Sequence, residues 1–196
     1  MIESAAFNGF SHELPEFFAG LSENNSTGWF QAHREMYESG VLEPAKRFIE
    51  ELGDRLATID PGIVADPRID KSIYRIHRDV RFSPDKSPYK THLGIWLWNS
   101  SAPRSESCGF YLQIDAHRFM LGAGTYFFTG EQLERFRRAV ADNRRGAALV
   151  RAIEQVESAG DYTVAGEHYK RMPRGYDPSH PRARLLRYNT LYAYQE

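Results

Sequence analysis

The chain has 196 residues, 41% hydrophobic and 13% aromatic, enough apolar material for a buried core and too much for a disordered chain. A single cysteine, Cys108, excludes an internal disulfide and fits a reducing compartment. The net charge of −1 conceals an asymmetry: residues 1–60 carry 11 acidic and 4 basic side chains, residues 71–92 carry 6 basic and 2 acidic, and residues 170–187 carry 6 basic and 1 acidic. Two basic islands in a near-neutral chain predict a local positive field if they meet; the alternative is neutralisation by the acidic amino-terminal helices.

The opening Met1-Ile-Glu-Ser-Ala-Ala has neither a basic start nor an apolar run, so no secretory signal is visible. No stretch approaches the roughly 18 apolar residues of a membrane span. A cytoplasmic protein without a membrane partner is expected.

In chain order, Ser11 predicts a helix cap, followed by an apolar face of Phe17, Phe18 and Leu21 with Pro15 tolerated in the first turn. Asn24-Asn-Ser26 breaks that helix and caps the next, where Trp29 and His33 share a face as packing at the core edge. Gly40 reads as its end. Val41, Ala45, Phe48, Ile49, Leu52, Leu56 and Ile59 then recur with helical period, closed by Pro61-Gly62.

A sheet region follows. Residues 72–81 alternate as a strand, with Tyr74, Ile76, Arg78 and Val80 on one face and Ile73, Arg75, His77, Asp79 and Arg81 on the other. Leu93, Ile95 and Leu97 make a strand apolar on both faces, and residues 110–114 and 119–124 read as two more in an antiparallel meander. Gly122 and Gly124 relieve crowding at a sheet end. Thr129-Gly-Glu-Gln132 has capping-box spacing ahead of Leu133, Phe136 and Val140. A further amphipathic helix ends near Gly160, and a Pro- and Gly-rich irregular segment leads to a short helix with Leu185 and Leu186. Helices, then strands, then helices predict one α+β domain over 1–196, helical at 10–60 and 129–191, with an antiparallel sheet of about four or more strands from 68–124.

Residues 71–92 concentrate the chemistry. Arginine binds planar oxyanions bidentately and is always charged. Arg75, Arg78 and Arg81, with Lys86, Tyr89 and Lys90 in a loop punctuated by Pro84 and Pro88, make a candidate cradle for phosphate or carboxylate. Ser83, Ser87 and Thr91 add hydroxyl donors. The structural alternative is an internal ion network, with Asp79 and Asp85 accepting from neighbouring cations. His77 and Asp79 are candidates for an acid/base pair, weighed against a half-buried, hydrogen-bonded histidine.

The remaining features read as structure. His33, His77, His92, His117, His168 and His180 show no tight metal spacing, so neither a metal nor a cofactor is expected. Cys108 reads as small and buried, Trp96, Trp98, Tyr126, Phe127 and Phe128 as core, and Arg135, Arg137, Arg138, Arg144 and Arg145 as solvated helix charge.

Four segments carry a resemblance in order: NNSTGWF at 24–30, YRIHRDVRFSPDKSPYKT at 74–91, GFYL at 109–112 and GYDPSHP at 175–181. The chain resembles the bacterial and fungal family of conserved hypothetical proteins called domain of unknown function 2461, from Phe10 to Leu191. Phe128 stands where that family tends to carry Pro. The family runs on beyond Glu196, which implies that a final helical element is missing here. The resemblance implies a single-domain architecture and a signature built on residues 75–90, and it brings no activity with it.

The functional expectation is binding of an anionic partner, a phosphorylated small molecule or nucleic acid, through Arg75, Arg78, Arg81, Lys86, Tyr89 and Lys90. One alternative is an enzyme on an anionic substrate with His77 and Asp79 as acid and base. The other is a structural or interaction domain in which the motif is an internal ion network.

Overall fold

The computed structural model describes residues 7–196; the hexapeptide Met1 to Ala6, read above for a secretory signal, lies outside the described residues. The fold is α+β, with six strands among the described residues in an antiparallel sheet and helices before and after them. The chain divides into two compact units: residues 1–100, 110–121 and 196, and residues 101–109 and 122–195.

The first unit begins with α1 (Glu13–Glu23). Ser11 Oγ accepts from the Glu13 amide at 3.3 Å, and Leu14, Phe17, Phe18 and Leu21 are fully buried. Asn24 ends the helix and Ser26 caps α2 (Thr27–Ala32), accepting from the Trp29 amide at 3.3 Å. Trp29 stacks on His33 with centroids 3.9 Å apart. After α3 (Arg34–Met36) the chain does not stop at Gly40: a π-helical turn (Tyr37–Leu42) leads straight into α4 (Glu43–Ala57). The glycine serves packing there, because a Cβ would lie 2.8 Å from the Glu13 Cβ.

These helices bury their apolar stripes against β2 (Leu93–Asn99), where Leu93, Ile95 and Leu97 are buried. Within this unit the strand order is β1 (Ile63–Val64), β2, β3 (Gly109–Ile114), β4 (Phe119–Thr125), with β4 running on into the second unit after Leu121. The expected strand over 72–81 does not form. Ile73 makes an isolated antiparallel bridge to Ile95 and His77 another to Tyr89, so residues 71–92 are an irregular hairpin. Ile73 and Ile76 are both buried, three positions apart, which breaks the period-2 reading at its start.

In the second unit, α5 (Gly130–Ala141) opens on the full Thr129/Gln132 capping box, and α6 (Asn143–Ser158) on the Asp142 side chain. Two strands arise where the sequence reads as irregular or helical: β5 (Thr163–Glu167) and, after the short α7 (Ala183–Leu186), β6 (Tyr188–Gln195). The order here is β4-β6-β5, with a bulge in β5 between Ala165 and Glu167. Gly124, at φ +142°, lets β4 close on β6; a Cβ there would sit 2.4 Å from the Leu191 carbonyl. Val140, Leu185, Leu186 and Tyr188 form the small core. Tyr126 and Phe127 are not core but 84% and 57% exposed, and Cys108 is likewise exposed. No helix among the described residues is long and apolar enough to cross a membrane.

Candidate functional site

The hairpin of residues 71–92 is shaped by side chains reaching main-chain groups. Tyr74 donates its amide to Gly94 O at 3.0 Å, and Trp96 donates to Ser72 O at 2.8 Å, fixing the first arm along β2. The arms join where Arg78 N donates to Pro88 O at 2.9 Å and Lys90 N to Ile76 O at 2.8 Å. Pro84 and Pro88 have no amide to give a ladder. Side chains take over that task. Asn25, at the α1–α2 junction, donates to Tyr89 O at 3.0 Å and accepts from Tyr89 N at 3.1 Å. Lys86 Nζ donates to Val80 O at 2.8 Å and Lys90 Nζ to Arg75 O at 2.9 Å. Side chains thus supply partners for main-chain groups that a regular strand would have paired.

The ion pairs are local. Arg81 forks onto Asp79 through Nε at 2.9 Å and Nη2 at 2.7 Å, and these hydrogen bonds hold the Asp79 carboxyl down at about 2. Arg78 pairs with Asp85, whose Oδ1 also accepts from Ser87 N at 2.9 Å and Ser87 Oγ at 2.6 Å. The Ser87 hydroxyl, then Arg78, keeps that carboxyl well below the usual carboxylate range.

The expected site residues are therefore brought into one hairpin with different roles. Arg78, Arg81 and Lys86 are tied within it. Lys90 lies over the Tyr74 ring at 5.3 Å from its centroid. Tyr89 is buried, stacked on Phe30 with centroids 4.4 Å apart; its ring anchors the hairpin to the amino-terminal helices. Arg75 is exposed and, among the described residues, makes no side-chain hydrogen bond or ion pair. His77 and Asp79 do not form the expected acid/base pair: the His77 ring lies against Tyr89, centroids 5.0 Å apart, while Asp79 belongs to Arg81.

Two residues inside the quoted motifs take roles that the sequence does not assign them. Asn25 looks like a helix breaker yet clamps the hairpin. Phe82 stands at the hairpin tip, 94% exposed, with the Arg81 guanidinium 5.9 Å from its ring centroid; an aromatic residue inside a charged, Pro-punctuated loop is the signal for it. Among the described residues no three His, Cys, Asp or Glu side chains converge to hold a metal ion.

An α+β protein carrying a basic, aromatic-tipped hairpin clamped to its amino-terminal helices is the class defined by this arrangement. The chain belongs to the family described as conserved hypothetical protein (DUF2461), whose model matches residues 13–196. No curated protein and no solved structure matches it.

Proposed function

We propose that the hairpin binds an anionic partner, with phosphate the group recognised and a single-stranded nucleic acid the form that suits it best. The observation that supports this is where the positive charge is left over. The two carboxylates of residues 71–92 are taken by Arg78 and Arg81. Lys86 gives its ammonium to a carbonyl, which holds the group in place without cancelling its charge, and Arg75 is exposed. Beside them stands Phe82, an exposed ring on which a base can stack while the cations track the backbone. The ion network and the binding reading are thus compatible: the network builds the hairpin, and the surplus cations meet the ligand.

Fluorescence anisotropy with a labelled oligothymidylate tests this. The wild-type chain is expected to bind with log affinity falling linearly with log salt, and Arg75→Ala/Lys86→Ala to lower that slope by about 1.4, roughly 0.7 for each lost single-strand phosphate contact. Phe82→Ala should cost about 1–3 kcal/mol of binding. Unchanged affinity in both variants would sink the assignment. Inorganic phosphate competing as well as the oligonucleotide would shift it to a small phosphorylated ligand.

A further inference from the structure

The second unit carries a separate groove of about 570 Å³, within the size range of small-molecule sites. Its floor is the β5–β6 ladder, including the buried Tyr188 ring, and Tyr126 and Phe127 line it from the segment after β4. Those two neighbours expose large rings on a backbone that is held on both sides. Thr125 O accepts from Thr190 Oγ1, and Phe128 N donates to Asn189 O at 3.3 Å just before the Thr129 capping box. Exposed aromatic surface on a pinned backbone loses little entropy when it meets a ligand.

The charge in the groove is also specific. Glu167 is held by Arg187, with Nε at 2.8 Å and Nη2 at 2.6 Å from Oε1. Arg184 reaches its other oxygen only at 3.5 Å, with a side chain 65% exposed, and its guanidinium lies 5.9 Å from the Tyr188 ring centroid. Two guanidiniums share one carboxylate, so a positive charge is left beside the aromatic walls. At Gly166 in the bulge, φ +145°, a Cβ would sit 2.6 Å from the Tyr188 ring, so the bare glycine keeps β5 close on that ring.

We infer that this groove binds a planar aromatic molecule bearing an anionic group, its ring against Tyr126 and Phe127 and its anion on Arg184. The shared chemistry has two sources, an aromatic carboxylate or a nucleotide, and the probes separate them. Ligand-observed NMR titrations with 2-naphthoate against 2-naphthamide, and with adenosine monophosphate against adenosine, are run on the full chain. At least one acid is expected to bind below about 1 mM and about tenfold more tightly than its neutral counterpart. Tyr126→Ala/Phe127→Ala should weaken it at least about fivefold, and Arg184→Gln should abolish the preference for the acid. Arg75→Ala/Lys86→Ala should leave this binding unchanged, which keeps its outcome distinct from that of the hairpin. Circular dichroism checks that the variants fold. Failure of both acids to bind, or equal binding of acid and neutral partner, overturns the inference.

Discussion

Residues 71–92 and 170–187 each carry six Lys or Arg side chains, and the two sets are held in different ways. In the first, two arginines meet the two local carboxylates and two lysines fasten carbonyls of their own hairpin. In the second, Arg182 reaches back about forty residues to cap α5, with Nε 2.7 Å from Val140 O and Nη2 3.4 and 3.3 Å from the carbonyls of Ala141 and Asp142. Arg184 and Arg187 converge on Glu167. A cation spent on a carbonyl organises the chain and keeps its charge; one spent on a carboxylate organises it and loses most of its field. Counting charges along a sequence cannot separate these uses.

The comparison breaks most severely at Tyr89. Tyr89→Ala removes the ring stacked on Phe30 and should cost about 4 kcal/mol by urea unfolding, with oligonucleotide binding lost as the hairpin detaches. Next come the two clamps. Asn25→Ala strands both main-chain groups of Tyr89, and Arg182→Met strands the last carbonyls of α5. Each should cost about 2 kcal/mol, measured the same way. Equal losses would show that both stretches depend on side-chain-to-backbone clamps; a neutral Arg182→Met would leave the hairpin alone in that class.

These clamps also mark the limit of what could be read in advance. The apolar face of α1, the strand at Leu93 to Leu97 and the Thr129 capping box are legible because their signals are local, repeating at 3.6 or 2 residues or sitting at fixed offsets. The hairpin reads as a strand because alternation from Ile76 to Arg81 is real, as burial there shows, while the partners that replace its ladder come from Asn25 and from the Pro88 carbonyl. β5 and β6 give little local signal because Pro and Gly around them dominate, and their pairing spans more than twenty residues. Of the site, the cations were visible from composition. Which of them keep usable charge, and that Phe82 rather than Tyr89 is the exposed ring, depends on contacts made by the fold.

A smaller effect sharpens the distinction between structural and available charge. Asp85 neutralises Arg78 at an exposed position, so Asp85→Asn should hardly move the melting temperature yet strengthen oligonucleotide binding and steepen its salt dependence. Glu167→Gln in the second unit frees two guanidiniums at once and should strengthen binding of an anionic aromatic ligand in the groove, leaving the oligonucleotide affinity as it was. Anisotropy and NMR titrations on the same two variants read both effects. A crossed result, with Glu167→Gln acting on the oligonucleotide, would mean that the basic stretches act on one ligand.

The smallest effect concerns His92, at the end of the hairpin where β2 begins. Burial, then the charge of Lys90, pushes its imidazole below the usual histidine value, against a weaker opposing pull from Asp115. The folded state therefore favours the neutral ring, whereas the unfolded chain takes up a proton near pH 6.5. The stability contributed by the neutral ring is complete above that pH and is lost as the pH falls through it toward the lower folded value. Asp79 does not interfere in this window, because its paired carboxyl releases its proton near 2 and its own contribution disappears only in stronger acid. Thermal melts of the wild type from about pH 8 to about pH 5 should show a shallow fall that His92→Gln flattens, while Asp79→Asn leaves it in place. A slope unaffected by His92→Gln would move its origin to another titrating group.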